Sequence, residues 1–177
     1  MNPITSHGAA PNCCRLPIRG SMKKLRIYVD TSVIGGCFDP EFKIWSDSLM
    51  DNFRQRHYVA VLSNVTAAEV APAPEFVQAL HLELLSLPAE VIHVKDEAVS
   101  LVESYAARGV LGSRFYNDML HIALATVADV DVLVSWNFRH IVRLDKIRLF
   151  NAINLEQGYK PLTIHSPREV IRYVTEE

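Results

Sequence analysis

Four side chains with oxygen donors recur along the chain where predicted strands end or predicted helices begin. Asp30 follows the apolar run 25–29, and Asn137 follows the predicted strand 131–135. Glu69 lies in the short segment 66–70, and Asp118 opens the apolar segment 118–128. Carboxylate and amide oxygens are the ligands that Mg²⁺ and Mn²⁺ prefer, and such ions drive phosphodiester hydrolysis. The pattern therefore predicts a hard-metal site assembled from several segments.

Asp30 and Glu69 also have purely structural interpretations. Asp30 could cap the segment that follows it, because Asp, Thr and Ser all favour helix N-termini. If Asp30 is a ligand, Thr31 and Ser32 could hold its carboxylate by hydrogen bonds. Glu69 fits the third helical position of a capping box that begins at Thr66, in which the glutamate reaches back to the N-cap amide. Both interpretations stay open for each residue.

Asp118 and Asn137 also have both structural and functional interpretations. Asp118 lies where a helix N-cap is expected, and Asn117 competes for that place. His121 follows three residues later on the same helix face. It could be a buried hydrogen-bonded histidine, a partner of the site residues, or a phosphate contact. Asn137 could coordinate through its carbonyl oxygen, hold a water, or simply end its strand in a turn. The order and spacing of the four together, not any one of them, favour a functional site.

Strands and helices are predicted to alternate along the chain. The strand candidates are 25–29, 58–63, 91–94 and 131–135, with 162–164 as an edge strand. The helix candidates are 42–56, 66–71, 75–87, 96–108 capped by Gly109, 118–128, pieces of 138–154, and a last helix beginning at Ser166, Pro167 and Glu169. Because the strands are continuous apolar runs, we expect an α/β fold: a three-layer α/β/α sandwich with a mainly parallel central sheet. Ligands of such sheets bind outside the carboxyl ends of the strands, where the four residues could meet.

The composition fits one globular domain. The chain has 177 residues, of which 49% are hydrophobic and 21% charged. No apolar run reaches the ~18 residues of a membrane-spanning helix, so no membrane partner is expected. The net charge of −2 gives no overall attraction to nucleic acid. Cys13, Cys14 and Cys37 form no CxxC pair, which indicates neither a disulfide framework nor a zinc site and predicts a cytoplasmic location.

The first 21 residues differ from the rest in being rich in proline and glycine. They lack the apolar core of a secretory signal. We predict that residues 1–21 are a disordered leader or a start-site artefact and that the folded domain spans 22–177.

A basic run follows Asn137. It contains Arg139, Arg143, Lys146 and Arg148 against the single acid Asp145, a net charge of +3. Arg139 and Arg143 would be neighbours on one face of a helix. A solvated helix face is the usual explanation of such a run, and a contact with backbone phosphates is the functional one. Arg108 and Arg114, which flank the loop before Asp118, are further candidates.

The order Asp, Glu, Asp and then an amide, on this alternating plan, resembles the PIN-domain family. The resemblance is carried by the segments YVDTSVI at 28–34, TAAEV at 66–70, NDMLHIALA at 117–125 and LVSWNF at 133–138. In that family the first three acids hold the metal, and the matching positions here are Asp30, Glu69 and Asp118. The family usually has a fourth acid where this chain has Asn137, a departure that weakens a second metal site. His121 stands where many family members have an apolar residue.

The resemblance implies a Mg²⁺- or Mn²⁺-dependent endoribonuclease, as in the VapC-type toxins of type II toxin–antitoxin pairs. The cation would relieve the repulsion among the three carboxylates, activate a water and stabilise charge on the scissile phosphate. Asn137 would position water or metal, with Ser32 and His121 in secondary roles and Arg139 and Arg143 steadying the RNA backbone. RNA as substrate, a small antitoxin protein and a homodimer are the implied partners.

Two other functions stay open. A PIN-like fold could bind RNA or a protein without cutting, which Asn137 favours and which predicts weak metal binding. A metal-dependent phosphatase or DNA nuclease could use a similar sheet. A haloacid-dehalogenase-like phosphatase would need Asp-x-Asp after the first strand, but the chain has Asp30, Thr31 and Ser32 there. Comparing RNA with DNA substrates would separate the two nucleases.

Overall fold

A five-stranded, entirely parallel sheet forms the centre of the fold. The computed structural model describes residues 23–172, so the predicted leader 1–21 lies outside the described residues. The strands are β1 (Arg26–Val29), β2 (Val59–Ser63), β3 (Glu90–Ile92), β4 (Val132–Val134) and β5 (Ile164–His165). Their spatial order is β3-β2-β1-β4-β5. In the register of the central strands, Ile27 pairs with Ala60 on one side and with Val132 on the other.

Helices cover both faces of the sheet. They are α1 (Thr31–Gly36), α2 (Lys43–Arg54), α3 (Asn64–Val70), α4 (Glu75–Ser86), α5 (Asp96–Ala107), α6 (Tyr116–Val127), α7 (Leu144–Glu156) and α8 (Pro167–Val170). Because side chains alternate along a strand, Tyr28 joins the core under α5, α6 and α7, whereas Ile27 and Val29 join the core under α1, α2 and α4. Every residue of β4 is buried, as expected for a strand covered on both faces. The predicted three-layer α/β/α arrangement is confirmed.

The start of α3 decides between the two interpretations of Glu69. Ser63 is the N-cap, and its Oγ accepts a hydrogen bond from the backbone N–H of Thr66 at 3.1 Å. The helix therefore begins before Thr66, and Glu69 lies near its C-terminal end. The proposed capping box of Thr66 and Glu69 is wrong, because Ser63 at the end of β2 already satisfies the first free amides. The carboxylate of Glu69 is free to serve elsewhere.

The start of α6 and the segment after Asn137 differ from the sequence prediction. The N-cap of α6 is Phe115, so Asp118 lies inside the first turn and neither it nor Asn117 is the cap. The carbonyl of Asn137 accepts hydrogen bonds from the N–H groups of Ile141 and Val142 at 3.0 and 2.9 Å, which closes a tight turn over 137–142.

The helix predicted to hold Arg139 and Arg143 on one face is absent from this part of the described chain. The extended Arg143 is the N-cap of α7, and Arg139 lies in the preceding turn. The expected neighbouring positions of these two residues on a helix are therefore wrong.

Several local predictions are confirmed. Gly109 follows α5 with a φ of +65°, the left-handed conformation that favours glycine at a helix C-terminus. Ser166 and Glu169 form a capping box around Pro167 at the start of α8. Within residues 23–172, no helix is both long enough and apolar enough to cross a membrane.

Candidate functional site

The carboxyl edge of the two central strands positions the candidate site. Asp30 directly follows β1, and its backbone N–H donates to the carbonyl of Val134 in β4 at 3.1 Å. Ser135 and Asn137 follow β4. The N-terminal turn of α6 brings Asp118 to this edge, and α3 brings Glu69. The four residues singled out in the sequence therefore lie in one network of hydrogen bonds and close charges.

The carboxylate of Asp30 is held by two serines. Its Oδ2 accepts hydrogen bonds from Ser32 Oγ and Ser135 Oγ, both at 2.6 Å. Each hydroxyl is fixed in turn, because Ser32 Oγ accepts from the N–H of Trp136 at 3.0 Å and Ser135 Oγ accepts from the N–H of Asn137 at 2.9 Å. Asp30 is only 5% exposed, and within residues 23–172 its Oδ1 accepts no hydrogen bond. One oxygen of a buried, rigid carboxylate is thus left for another partner.

Glu69 is held by three side chains. Thr31 Oγ1 donates to Glu69 Oε2 at 2.5 Å, and Asn117 Nδ2 donates to Oε1 at 2.9 Å. His121 Nε2 lies 3.1 Å from Oε2. Burial alone would raise the pKa of Glu69, but the hydrogen bonds from His121 and Thr31 outweigh it and lower the pKa to about 2. Glu69 is therefore a carboxylate at neutral pH. Thr31, expected to hold Asp30, holds Glu69 instead.

His121 is the buried centre of the site. Its Nδ1 lies 2.7 Å from the hydroxyl of Tyr28, which is 2.8 Å from Ser63 Oγ. Its Nε2 faces both Glu69 Oε2 at 3.1 Å and Asp30 Oδ1 at 3.6 Å. Burial lowers the pKa of His121, but the hydrogen bond to Glu69 and the nearby carboxylate charges outweigh burial and raise it. The raised pKa favours the charged imidazole between Asp30 and Glu69.

Asp118 has a second histidine as its partner. His140 Nδ1 lies 2.8 Å from Asp118 Oδ2, and Asn137 Nδ2 donates to Asp118 Oδ1 at 2.9 Å. The backbone N–H of His140 donates to Asn137 Oδ1 at 3.0 Å, so the amide of Asn137 is engaged at both ends. Burial raises the pKa of Asp118, and the charge of Asp30 adds to that effect, whereas His140 opposes it.

The donor set fits a divalent cation. One ligand atom each from Asp30, Glu69 and His121 lies within 4.8 Å of the others, close enough for one ion to touch all three. Carboxylate oxygens suit Mg²⁺ and Mn²⁺, and imidazole nitrogen is the softer donor. The predicted ligand set was Asp30, Glu69 and Asp118. In the structure, His121 rather than Asp118 is the third member of the compact group. Asp118 lies next to the group, where it accepts a hydrogen bond from Asn137 and contacts His140.

Several residues that orient the site had no role assigned from the sequence. Tyr28 and Ser135 lie in predicted strands and in the segments that resemble PIN domains, and Asn117 was expected only as a competing cap. His140 had no sequence signal beyond lying three residues after Asn137. The predicted basic residues are divided: Arg108 pairs with Glu156 at 2.6 Å, whereas Arg114, Arg139 and Arg143 line a cleft next to His140.

Comparison with solved structures identifies the fold. The chain is similar to a chain of VapBC2 from Rickettsia felis, solved bound to a DNA fragment from its promoter (TM-score 0.50, 15% identity, 80% of this chain and 98% of that chain covered). It is also similar to a chain of FitAcB from Neisseria gonorrhoeae (0.52, 16%, 81% and 99%) and of FitAB bound to an IR36 DNA fragment (0.53, 16%, 83% and 99%). No family model and no curated protein matches the sequence. At these identities the likeness shows a shared α/β fold.

Proposed function

We propose that the protein is a metal-dependent endoribonuclease, the toxin of a type II toxin–antitoxin pair. The observation that carries the proposal is the convergence of Asp30, Glu69 and His121, whose ligand atoms lie within 4.8 Å of one another at the carboxyl edge of the sheet. Asp118 lies beside them. The resemblance of the four segments to PIN domains, and a fold shared with chains of VapBC and FitAB complexes, support the same function.

The side chains of the site would share the work as follows. Asp30, through its free Oδ1, and Glu69 would hold Mg²⁺ or Mn²⁺, with Asp118 or His121 completing the set. When bound, such an ion supplies charge stabilisation at a scissile phosphate and lowers the pKa of a water. Ser32 and Ser135 keep the Asp30 carboxylate in one orientation, so little reorganisation is needed when substrate arrives.

The alternative function is an RNA- or protein-binding module that does not cut. Asn137 is the observation that favours it. An amide at this position adds no negative charge, and both its ends are already used by Asp118 and His140. Such a protein would hold a cation weakly or not at all, because the site has one carboxylate fewer than the PIN-domain pattern.

An antitoxin protein and a homodimer belong to the same proposal. Residues 42–87, which include α2, α3 and α4, are the groove walls that we propose for the antitoxin. Phe38 and Phe76 are 43% and 53% exposed with ring centroids 4.6 Å apart, and they line a cleft of about 360 Å³ with Lys43 and Arg54. A small antitoxin that covers this apolar surface would be the product of an adjacent reading frame. It would be found by its co-purification with this protein. The homodimer would be found by sedimentation.

The deciding experiment is a cleavage assay with the full chain on a mixed-sequence single-stranded RNA and on DNA of the same sequence. We expect cleavage of RNA with Mg²⁺ or Mn²⁺, none with EDTA, and none in Asp30→Asn or Asp118→Asn. Asp129→Asn is the matched control. Asp129 has a φ of +48°, which asparagine tolerates, and it lies on the exposed surface before β4, at the opposite edge of the sheet.

The outcomes separate the candidate functions. Absence of cleavage with any divalent cation, in folded protein that still binds RNA, would replace the nuclease with the non-cutting binder. Cleavage of DNA in preference to RNA would replace it with a DNA nuclease. Cleavage that persists in both Asp30→Asn and Asp118→Asn would place the activity elsewhere in the molecule or in a contaminant.

A further inference from the structure

We propose that a basic cleft beside the candidate site binds the backbone phosphates of a single-stranded RNA without reading its bases. This inference rests on the proposed function, since it names how the substrate is held. The cleft has a volume of about 310 Å³, and residues 109–112 line one part of it. Its side-chain lining is Arg114, Phe115, Arg139, His140, Arg143 and Lys146. It carries four cations and no acid.

The cleft is physically continuous with the site. His140 lines the cleft and its Nδ1 lies 2.8 Å from Asp118 Oδ2. Arg139 follows Asn137 by two residues, in the turn that the carbonyl of Asn137 closes. An RNA strand with one phosphate near Asp118 can run from there in two directions, either into this cleft or away from it. The four cations favour the cleft, because elsewhere at the site the strand would meet carboxylates.

The four cations are not equally available to a ligand. Within residues 23–172, Arg139 has no ion-pair partner, and Arg114 lies over the ring of Phe115 at 4.6 Å without one. Arg143 is paired with the exposed Asp145 at 2.7 Å. Lys146 donates to the carbonyl of Val110 at 2.6 Å, which ties it to the lining of the cleft. Arg139 and Arg114 should therefore contribute most to phosphate binding, Arg143 less, and Lys146 least.

The lining also indicates that the cleft does not read bases. Arginine and lysine side chains can bind the phosphate oxygens that every nucleotide shares, and no lining residue has a carboxylate that could accept from the amino group of a base. The one aromatic ring, Phe115, has His140 at a centroid distance of 3.8 Å and the guanidinium of Arg114 on it, so little of the ring is left for stacking. Sequence-tolerant binding by a positive groove is typical of single-strand binders. A flexible single strand can adapt its backbone to such a cleft, so we expect it to bind more tightly than a stiff duplex.

The test is binding without cleavage, measured by fluorescence anisotropy of the full chain in EDTA with two labelled single-stranded RNAs of unrelated sequence. The affinity is followed from low to moderate salt. We expect each of Arg114→Gln and Arg139→Gln to lower the affinity for both RNAs by the same factor. We also expect each to make the slope of log K against log salt shallower by about 0.7. We expect Asp145→Asn to tighten binding, because it releases Arg143. Lys24→Gln, an exposed charge change before β1 and outside the cleft, should alter neither affinity nor slope.

Four results would overturn the inference. The first is an unchanged slope in both Arg114→Gln and Arg139→Gln, and the second is an equal loss of affinity in Lys24→Gln. The third is equal binding of duplex RNA of the same sequence. The fourth is equal competition by an acidic peptide of matched charge, which would make the cleft a general polyanion or protein site. Variants that keep the wild-type circular dichroism and melting temperature exclude misfolding as the cause.

The failure of this inference can be told apart from the failure of the proposed function. If the protein cleaves RNA but the cleft variants bind RNA like the wild type, the proposed phosphate binding by the cleft is wrong and the proposed nuclease activity is retained. If the protein cleaves nothing but binds RNA with the expected dependence on Arg114 and Arg139, the nuclease is wrong and the cleft stands.

Discussion

At the residue scale, two histidines contact the acids of the candidate site. His121 lies between Asp30 and Glu69, and His140 is paired with Asp118. Carboxylates packed this closely would repel one another strongly in a half-buried site, which is why opposite charges or a cation must accompany them. The raised pKa of His121 favours its charged form beside Asp30 and Glu69. A metal ion would therefore compete with His121 for Glu69 Oε2, whereas Asp30 Oδ1 accepts no hydrogen bond within residues 23–172.

Asn137→Asp should strengthen the metal site and weaken the metal-free protein. The new carboxylate would face Asp118, whose Oδ1 now accepts from the amide at 2.9 Å. Replacing that hydrogen bond by repulsion should cost about 1–3 kcal/mol of unfolding free energy in EDTA. Calorimetric titration with Mn²⁺ should show tighter binding than in the wild type. Asn137→Ala removes the amide without adding charge, so it should lose stability but gain no affinity. Equal Mn²⁺ affinity in Asn137→Asp and wild type would contradict the prediction.

Tyr28→Phe should destabilise the fold although it removes one atom. The Tyr28 hydroxyl is fully buried and connects His121 Nδ1 to Ser63 Oγ at 2.7 and 2.8 Å. Without it, both partners lose a buried hydrogen bond, which should cost about 1–3 kcal/mol in urea denaturation. Tyr116→Phe is the control, since Tyr116 is 41% exposed, and should change stability by less than ~0.5 kcal/mol. Equal stabilities of the two variants would show that the hydroxyl of Tyr28 does not matter.

At the element scale, α1 contains two adjacent glycines, of which only one has space for a larger side chain. A Cβ at Gly36 would lie 2.7 Å from both Ser46 Oγ and Trp136 Nε1, a buried pair that is itself hydrogen-bonded at 2.9 Å. A Cβ at Gly35 would meet nothing within 4 Å. The close approach of α1 to the loop after β4 therefore depends on Gly36 alone.

Gly36→Ala should lower stability and Gly35→Ala should not. We expect a loss of about 1–3 kcal/mol for Gly36→Ala from overpacking. We expect no loss, or a gain of up to ~1 kcal/mol, for Gly35→Ala, because alanine favours a helix. Urea denaturation followed by circular dichroism would measure both, and the emission of Trp136 should shift only in the first. A similar loss in both variants would mean that helix conformation rather than the close contact decides.

The elements also show what the sequence could and could not predict. Continuous apolar runs sufficed for the parallel sheet and its edge, because burial on both faces leaves a clear trace in composition. Helix starts were less accurate where the cap lay in the preceding strand, as with Ser63, since a strand residue and an N-cap look alike in the sequence. His140 could not be predicted, because its pairing with Asp118 depends on the turn over 137–142, a tertiary feature without a periodic pattern.

At the scale of the whole molecule, the site ties both faces of the sheet together. Tyr28 belongs to the core under α5, α6 and α7, while Trp136 belongs to the core under α1 and α2. Asp30 is held by Ser32 of α1 and by Ser135 after β4, and Glu69 is held by residues of α1 and α6. A ligand that binds Asp30 and Glu69 at once would therefore stabilise most of the fold, not just one loop.

Divalent cations should consequently raise the melting temperature of the whole protein in a single transition. At a free concentration of 100 times the dissociation constant, the stabilisation should be about 2.7 kcal/mol. Calorimetry with Mn²⁺, Mg²⁺ and EDTA would measure it. Asp30→Asn should lose the cation-dependent shift because Oδ1 is the oxygen left without a hydrogen bond within residues 23–172, while Asp129→Asn should keep it. A shift of the same size in Asp30→Asn would mean that the ions act on general surface charge, and it would remove the physical basis for metal-dependent hydrolysis at this edge of the sheet.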